Sequence, residues 1–105
     1  MEETFEIPYG VTTISSYAFS DIDSILIRDI IIPSSVTTIE DYAFWSSEWI
    51  SSVTIPDSLT YIGKNAFYGC TSLTIYCEAA NKPNGWDSKW NPSNRPVIWD
   101  CKNKQ

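Results

Sequence analysis

One ladder of residues occurs three times at fixed offsets. Ile7-Pro8, Val11, Ile14 and Ala18-Phe19 recur as Ile32-Pro33, Val36, Ile39 and Ala43-Phe44, then as Ile55-Pro56, Leu59, Ile62 and Ala66-Phe67. The prolines stand 25 and then 23 residues apart. A fixed period in the twenties is the mark of a solenoid, in which one supersecondary unit cannot bury its apolar face alone and stacks on its neighbours. The core then consists of columns of like residues: Ile14/Ile39/Ile62, Ala18/Ala43/Ala66 and Phe19/Phe44/Phe67, with the Ile-Pro isoleucines and Val11/Val36/Leu59 beside them. An alanine wherever the backbone turns inward beside a ring implies a position with room for nothing larger.

The best copy runs Ile50-Ser-Ser-Val53-Thr-Ile55-Pro56 through Ala66-Phe67-Tyr68-Gly69-Cys70. In order and spacing together it resembles the BspA-like, or treponemal-type, leucine-rich repeat over about residues 5 to 76. The segment Ile75-Tyr76-Cys77, Gly85-Trp86-Asp87, Trp90-Asn91 and Pro96-Val97-Ile98-Trp99 is similar to the closing segment of such proteins. The fold expected is a β-rich right-handed solenoid of about three coils of 23–25 residues, with short strands and tight or short helical turns, closed by a Trp-rich C-terminal cap. All 105 residues form one leucine-rich-repeat domain: repeats at 5–76, cap at 77–101, and a frayed tail at 102–105. Composition allows a core of this kind, at 43% hydrophobic and 14% aromatic.

Each Ile-Pro is preceded by a strand-like alternation. Phe5-Glu6-Ile7 aligns with Ile30-Ile31-Ile32 and Val53-Thr54-Ile55, and Ile25–Ile32 is the most β-prone run. Ile30 and Ile32 point inward, so Ile31 faces out. Its equivalents are Glu6, Thr54 and Tyr76, and the four form a row across the sheet, on the surface where leucine-rich repeats commonly bind. Met1–Thr4 read as overhang. No capping unit precedes the first strand, so the chain is expected either to be cut from a longer array or to self-associate through this uncapped N-terminal edge.

Trp45 and Trp49 interrupt a polar stretch where the first repeat has Ser20 and Ser24 and the third has Tyr68 and Ser72. The common fold does not require two indoles there. They are either binding hot spots or fillers of a gap left by the longer first repeat. Beyond Asn81 the period breaks into turn residues, and Trp86 and Trp90 fall one helical turn apart. With Trp99 they read as the lid of the third coil, in preference to a sugar-binding platform. Cys70 reads as a small buried side chain at the coil corner. Cys77 and Cys101 bracket the tail and either bridge or stay free, since three cysteines make no closed framework.

Residues 1–63 carry ten acidic residues and one basic, Arg28, whereas residues 64–105 carry three acidic and six basic. An acidic solenoid lacks the clustered Lys and Arg that phosphate contact needs, so no nucleic-acid partner is expected. Opposite charge at the two ends also favours head-to-tail association. No run reaches membrane-span length, so no membrane insertion is expected, and no basic-plus-apolar leader is present. With no histidine in the chain, Ser-His-Asp and Cys-His nucleophile arrangements and His-containing zinc sites are excluded. Gly10, Gly63, Gly69 and Gly85 form no phosphate loop. The acidic pairs Asp21/Asp23 and Glu40/Asp41 fall in turns without the other ligands of a calcium loop.

These readings point to a protein that is not an enzyme, with no cofactor and no metal. The expected function is a noncatalytic recognition or adhesion module, using Glu6, Ile31, Thr54, Tyr76, Trp45 and Trp49. The resemblance implies an extracellular or cell-surface location and protein partners such as host or bacterial surface glycoproteins. Two other readings stay open: a structural C-terminal cap and spacer of a longer array, and a glycan binder that uses exposed tryptophans.

Overall fold

The computed structural model describes residues 3–20 and 27–103. Ile25 and Leu26, Asp21/Asp23 and Ser24 therefore lie outside the described residues. The chain winds as a parallel β-solenoid of about four turns with nearly no helix. Strands β1 (Glu3–Glu6), β3 (Ile27–Ile31), β5 (Ser52–Ile55), β7 (Thr74–Cys77) and β8 (Val97–Ile98) pair in parallel in that order. Between them β2 (Thr13–Ile14), β4 (Thr38–Ile39) and β6 (Tyr61–Ile62) stack as a second, three-stranded parallel sheet. Each coil thus leaves the large sheet at Ile-Pro, where proline ends the ladder by removing a donor, and returns through the Ala-Phe corner.

The columns sit between the sheets. Ile14, Ile39 and Ile62 are buried, as are Ala43, Ala66, Phe44 and Phe67. Phe19 stacks on Phe44 at 5.1 Å and Phe44 on Phe67 at 4.9 Å, within the range of favourable offset ring pairs. The corners are equally periodic. Tyr17, Tyr42 and Asn65 take φ of 63°, 64° and 59°, and Ser46, Gly69 and Asn94 take 55°, 80° and 54°. Corner carbonyls are satisfied by side chains of the next coil: the Ser47 hydroxyl donates to Phe19 O, and the Cys70 thiol to Phe44 O at 2.9 Å. Among the described residues no buried side-chain nitrogen or oxygen lacks a partner.

The structure corrects the sequence reading in five places. Ala18 occupies its column position but is exposed, and Phe19 is only partly buried, because among the described residues no coil stacks on the outer side of the first one. Glu3 and Thr4 are strand rather than overhang, pairing with β3 around an irregularity between them. The tail does not abandon the period, since Val97 and Ile98 pair with Ile75 and Tyr76 and complete a fourth turn where three were expected. Trp86–Trp90 is a chain of turns and not a helical turn, with the Asp87 carboxylate accepting from the Lys89 amide at 2.7 Å. Lys102 is not frayed: it lies in a 3-10 turn, Cys101–Asn103, with its ammonium 3.7 Å from Glu78.

The fourth turn follows the pattern of the others with different side chains. Asp87 N donates to Ile62 O at 2.8 Å, as Gly63 N does to Ile39 O and Glu40 N to Ile14 O, both at 2.9 Å. The Trp86 indole donates to Leu59 O at 3.2 Å, taking the place that the Ser35 and Ser58 hydroxyls take on Val11 O and Val36 O. Gly85 lets the chain come this close, since a Cβ there would run into the Thr60 carbonyl oxygen. Trp90 meets Phe67 edge-on at 6.1 Å, so the ring ladder ends in an indole. Trp86 and Trp90 are 3% and 6% exposed, and Trp99 packs beside both.

Candidate recognition surface

Alternation in a strand sends every second side chain outward. In the large sheet Phe5, Ile30, Val53, Ile75 and Val97 form the inward row. The register then sets Glu6, Ile31, Thr54, Tyr76 and Ile98 side by side on the outer face. Ile31 is 40% exposed, and Tyr76 and Ile98 each 37%. The structure thus brings together the four residues read as a row from the sequence and adds Ile98, which was missed because the tail was not read as a coil.

A second outward row, Thr4, Asp29, Ser52 and Thr74, runs beside the first. Simple alternation from Ile31 would have found it. Asp29 is its centre: the Ser52 hydroxyl donates to Oδ1 at 2.6 Å, and the Thr4 hydroxyl reaches Oδ2 at 3.5 Å. Thr4, Asp29 and Ser52 of this row and Ile31, Thr54 and Tyr76 of the first line an open, shallow groove of about 600 Å³ together with Ser51.

The two candidate indoles do not join this groove. Trp45 lies at a coil corner, stacked on Tyr68 at 4.7 Å and edge-on to Tyr42 at 5.5 Å; Tyr42 in turn stacks on Tyr17 at 5.5 Å with the rings 2° from parallel. The result is a strip of four rings across three coils, of which Tyr17 and Tyr68 are exposed. The tyrosines were missed. Their signal was the residue before each Ala-Phe, Tyr17 and Tyr42 at the left-handed corner, where Asn65 of the third coil is the easier occupant and bulky residues are rare. Trp49 stands apart, exposed, with the Arg28 guanidinium 5.8 Å above its ring.

Among the described residues the cysteine thiols are held protonated. Burial pushes the Cys70 thiol up to about 11 and, with Cys101 close by, the Cys77 thiol up to about 12. Neither is a thiolate near neutral pH, which is the form a nucleophile or metal ligand needs. Cys101 is also raised, by partial burial first and Glu78 second, and all three cysteines are free. Among the described residues no three Cys, Asp or Glu side chains gather to hold a metal, and no helix is long and apolar enough to cross a membrane.

Residues 2–80 match the family model described as BspA type leucine rich repeat region (6 copies). The chain belongs to the BspA-type leucine-rich-repeat family. The match covers the three Ile-Pro coils and β7; residues beyond 80 lie outside it. BspA-type repeats are commonly part of surface or secreted proteins, and leucine-rich repeats generally mediate protein interactions. No curated protein matches the chain, and no solved structure does.

Proposed function

We propose that the chain is a noncatalytic protein-recognition or adhesion module of an extracellular or cell-surface protein, and that it binds through the outer face of its large sheet. The observation that carries this is the outward row in which exposed Ile31 and Tyr76 flank Thr54 in one groove, with exposed Ile98 next to Tyr76 beyond it. An outward strand position accepts almost any residue, so large apolar side chains there are not required by the fold. Contiguous exposed apolar surface rimmed by polar groups marks interaction sites. Trp49, exposed beside Arg28 and apart from the groove, and the Tyr17–Tyr42–Trp45–Tyr68 strip are further areas of aromatic contact. Trp86, Trp90 and Trp99 take the part of a structural cap.

A spacer role draws support from the other end. Phe5, Ile7, Val11, Ile14 and Phe19 line an open apolar depression of about 260 Å³ on the outer side of the first coil, a shape complementary to another coil of the same kind or to a second copy. Glycan stacking has less support. It needs free ring faces, and those of Trp45 and Trp86 are covered by Tyr68 and by neighbouring indoles.

The test is an array of matrix glycoproteins, their deglycosylated forms and free glycans, probed with the wild-type chain, an Ile31→Asp/Tyr76→Ser variant and a Trp45→Ser/Trp49→Ser variant. Binding that survives deglycosylation and falls by about thirtyfold or more in the sheet variant is expected for hot-spot residues. Signal on glycans alone favours the sugar reading. Silence from all three folded proteins favours the spacer.

A further inference from the structure

We propose that the groove takes a cationic polypeptide segment, with an arginine or lysine on Asp29 and an apolar side chain two positions away on Ile31 and Tyr76; this rests on the recognition reading above. Among the described residues Asp29 is the one charged side chain lining the groove, and no lysine or arginine lines it. Glu6, in the adjacent row, adds a second negative charge at the β1 side. The chain as a whole carries −6, so a basic partner is attracted at long range as well as in contact.

The carboxylate is set up to receive such a group. The Ser52 hydroxyl donates to Oδ1 at 2.6 Å and restrains the rotamer, with the Thr4 hydroxyl at the edge of reach of Oδ2 at 3.5 Å, so less freedom remains to be lost on binding. A carboxylate offers about four lone-pair sites. One is engaged by Ser52 and another faces Thr4 at 3.5 Å, which leaves acceptors on the half-buried Asp29 for the planar fork of a guanidinium or for an ammonium. The adjoining base of the sequence, Arg28, instead has its guanidinium over the Trp49 ring.

The geometry also sets the spacing in the partner. Asp29 and Ile31 are two residues apart on β3, which is about 7 Å along an extended strand. A partner in extended conformation presents its own residues i and i+2 on one face at the same separation. The recognised pattern is therefore basic, any residue, apolar, with the apolar side chain against Ile31 and Tyr76.

A random peptide library displayed on phage tests this directly, selected in parallel on the wild-type chain, Asp29→Asn and Ile31→Asp. Asparagine keeps an oxygen for the Ser52 hydroxyl, and unchanged melting checks the fold; Asp29→Thr serves if it does not hold. Wild type is expected to enrich peptides with Arg or Lys two positions from an apolar residue. The resynthesised consensus peptide should bind Asp29→Asn about tenfold or more weakly, lose affinity as NaCl is raised, and fail on Ile31→Asp. Peptides without a basic residue that bind wild type and Asp29→Asn alike, but not Ile31→Asp, overturn the cation pairing and leave the recognition face standing. Peptides indifferent to every variant, or no enrichment at all, overturn both.

Discussion

The two ends of the solenoid carry the same column and treat it differently. At the first coil Ala18 is exposed and Phe19 half-buried, with Phe5 edge-on at 6.1 Å as its other ring neighbour. At the fourth turn Trp86 and Trp90 are almost fully enclosed, and they continue both the hydrogen-bond ladder and the ring ladder. A column residue is therefore not a core residue by virtue of its place in the repeat. Burial comes from the neighbouring coil, and each coil depends on the next for half of its packing.

Breaking this comparison starts with the rings. Phe44→Ala should cost about 3–5 kcal/mol, since Phe44 lies between Phe19 and Phe67 and a cavity opens on both sides. Phe19→Ala should cost less, about 1–2 kcal/mol, because part of that ring already meets water. Chemical denaturation of the two variants measures the difference, and equal losses would show that both coils are packed alike.

The alanine column gives the smaller contrast. Ala43 is fully enclosed, and Ala43→Leu should destabilise by about 1–3 kcal/mol through overpacking. Ala18→Leu, at an exposed position, should stay within about 0.5 kcal/mol of wild type. A matching loss at both positions in thermal melts would mean that Ala18 is covered in solution by something like a further coil.

Much of the fold was legible because its period is written in residues the fold needs. Pro8, Pro33 and Pro56 end strands, Ala43 and Ala66 mark tight packing, and Phe44 and Phe67 fill the same space twice. The outer row was legible for the same reason, since alternation from buried Ile30 and Ile32 leaves Ile31 only one direction. The fourth turn was not, because the positions that serine hydroxyls and isoleucines fill elsewhere are filled there by indoles, and a search for like residues passes over them. Trp86 supplies from its ring nitrogen the hydrogen bond that Ser35 and Ser58 supply from their hydroxyls. The groove around Asp29 was missed for another reason. Alternation from Ile31 marks Asp29 as outward, but the contact of Thr4, Asp29 and Ser52 joins three strands and is written in no single repeat.

The claim on which the rest depends is that residues after Cys77 form a coil stacked on the third, so that the sheet and its outer row extend to Ile98. Amide hydrogen exchange on the wild-type chain tests it most directly, by comparing the Asp87 amide, which donates to Ile62 O, with the Gly63 amide, which donates to Ile39 O. The account predicts that both are strongly protected and open together as denaturant is added. Rapid exchange at Asp87 with Gly63 still protected would contradict it and leave a three-coil solenoid with a loose tail.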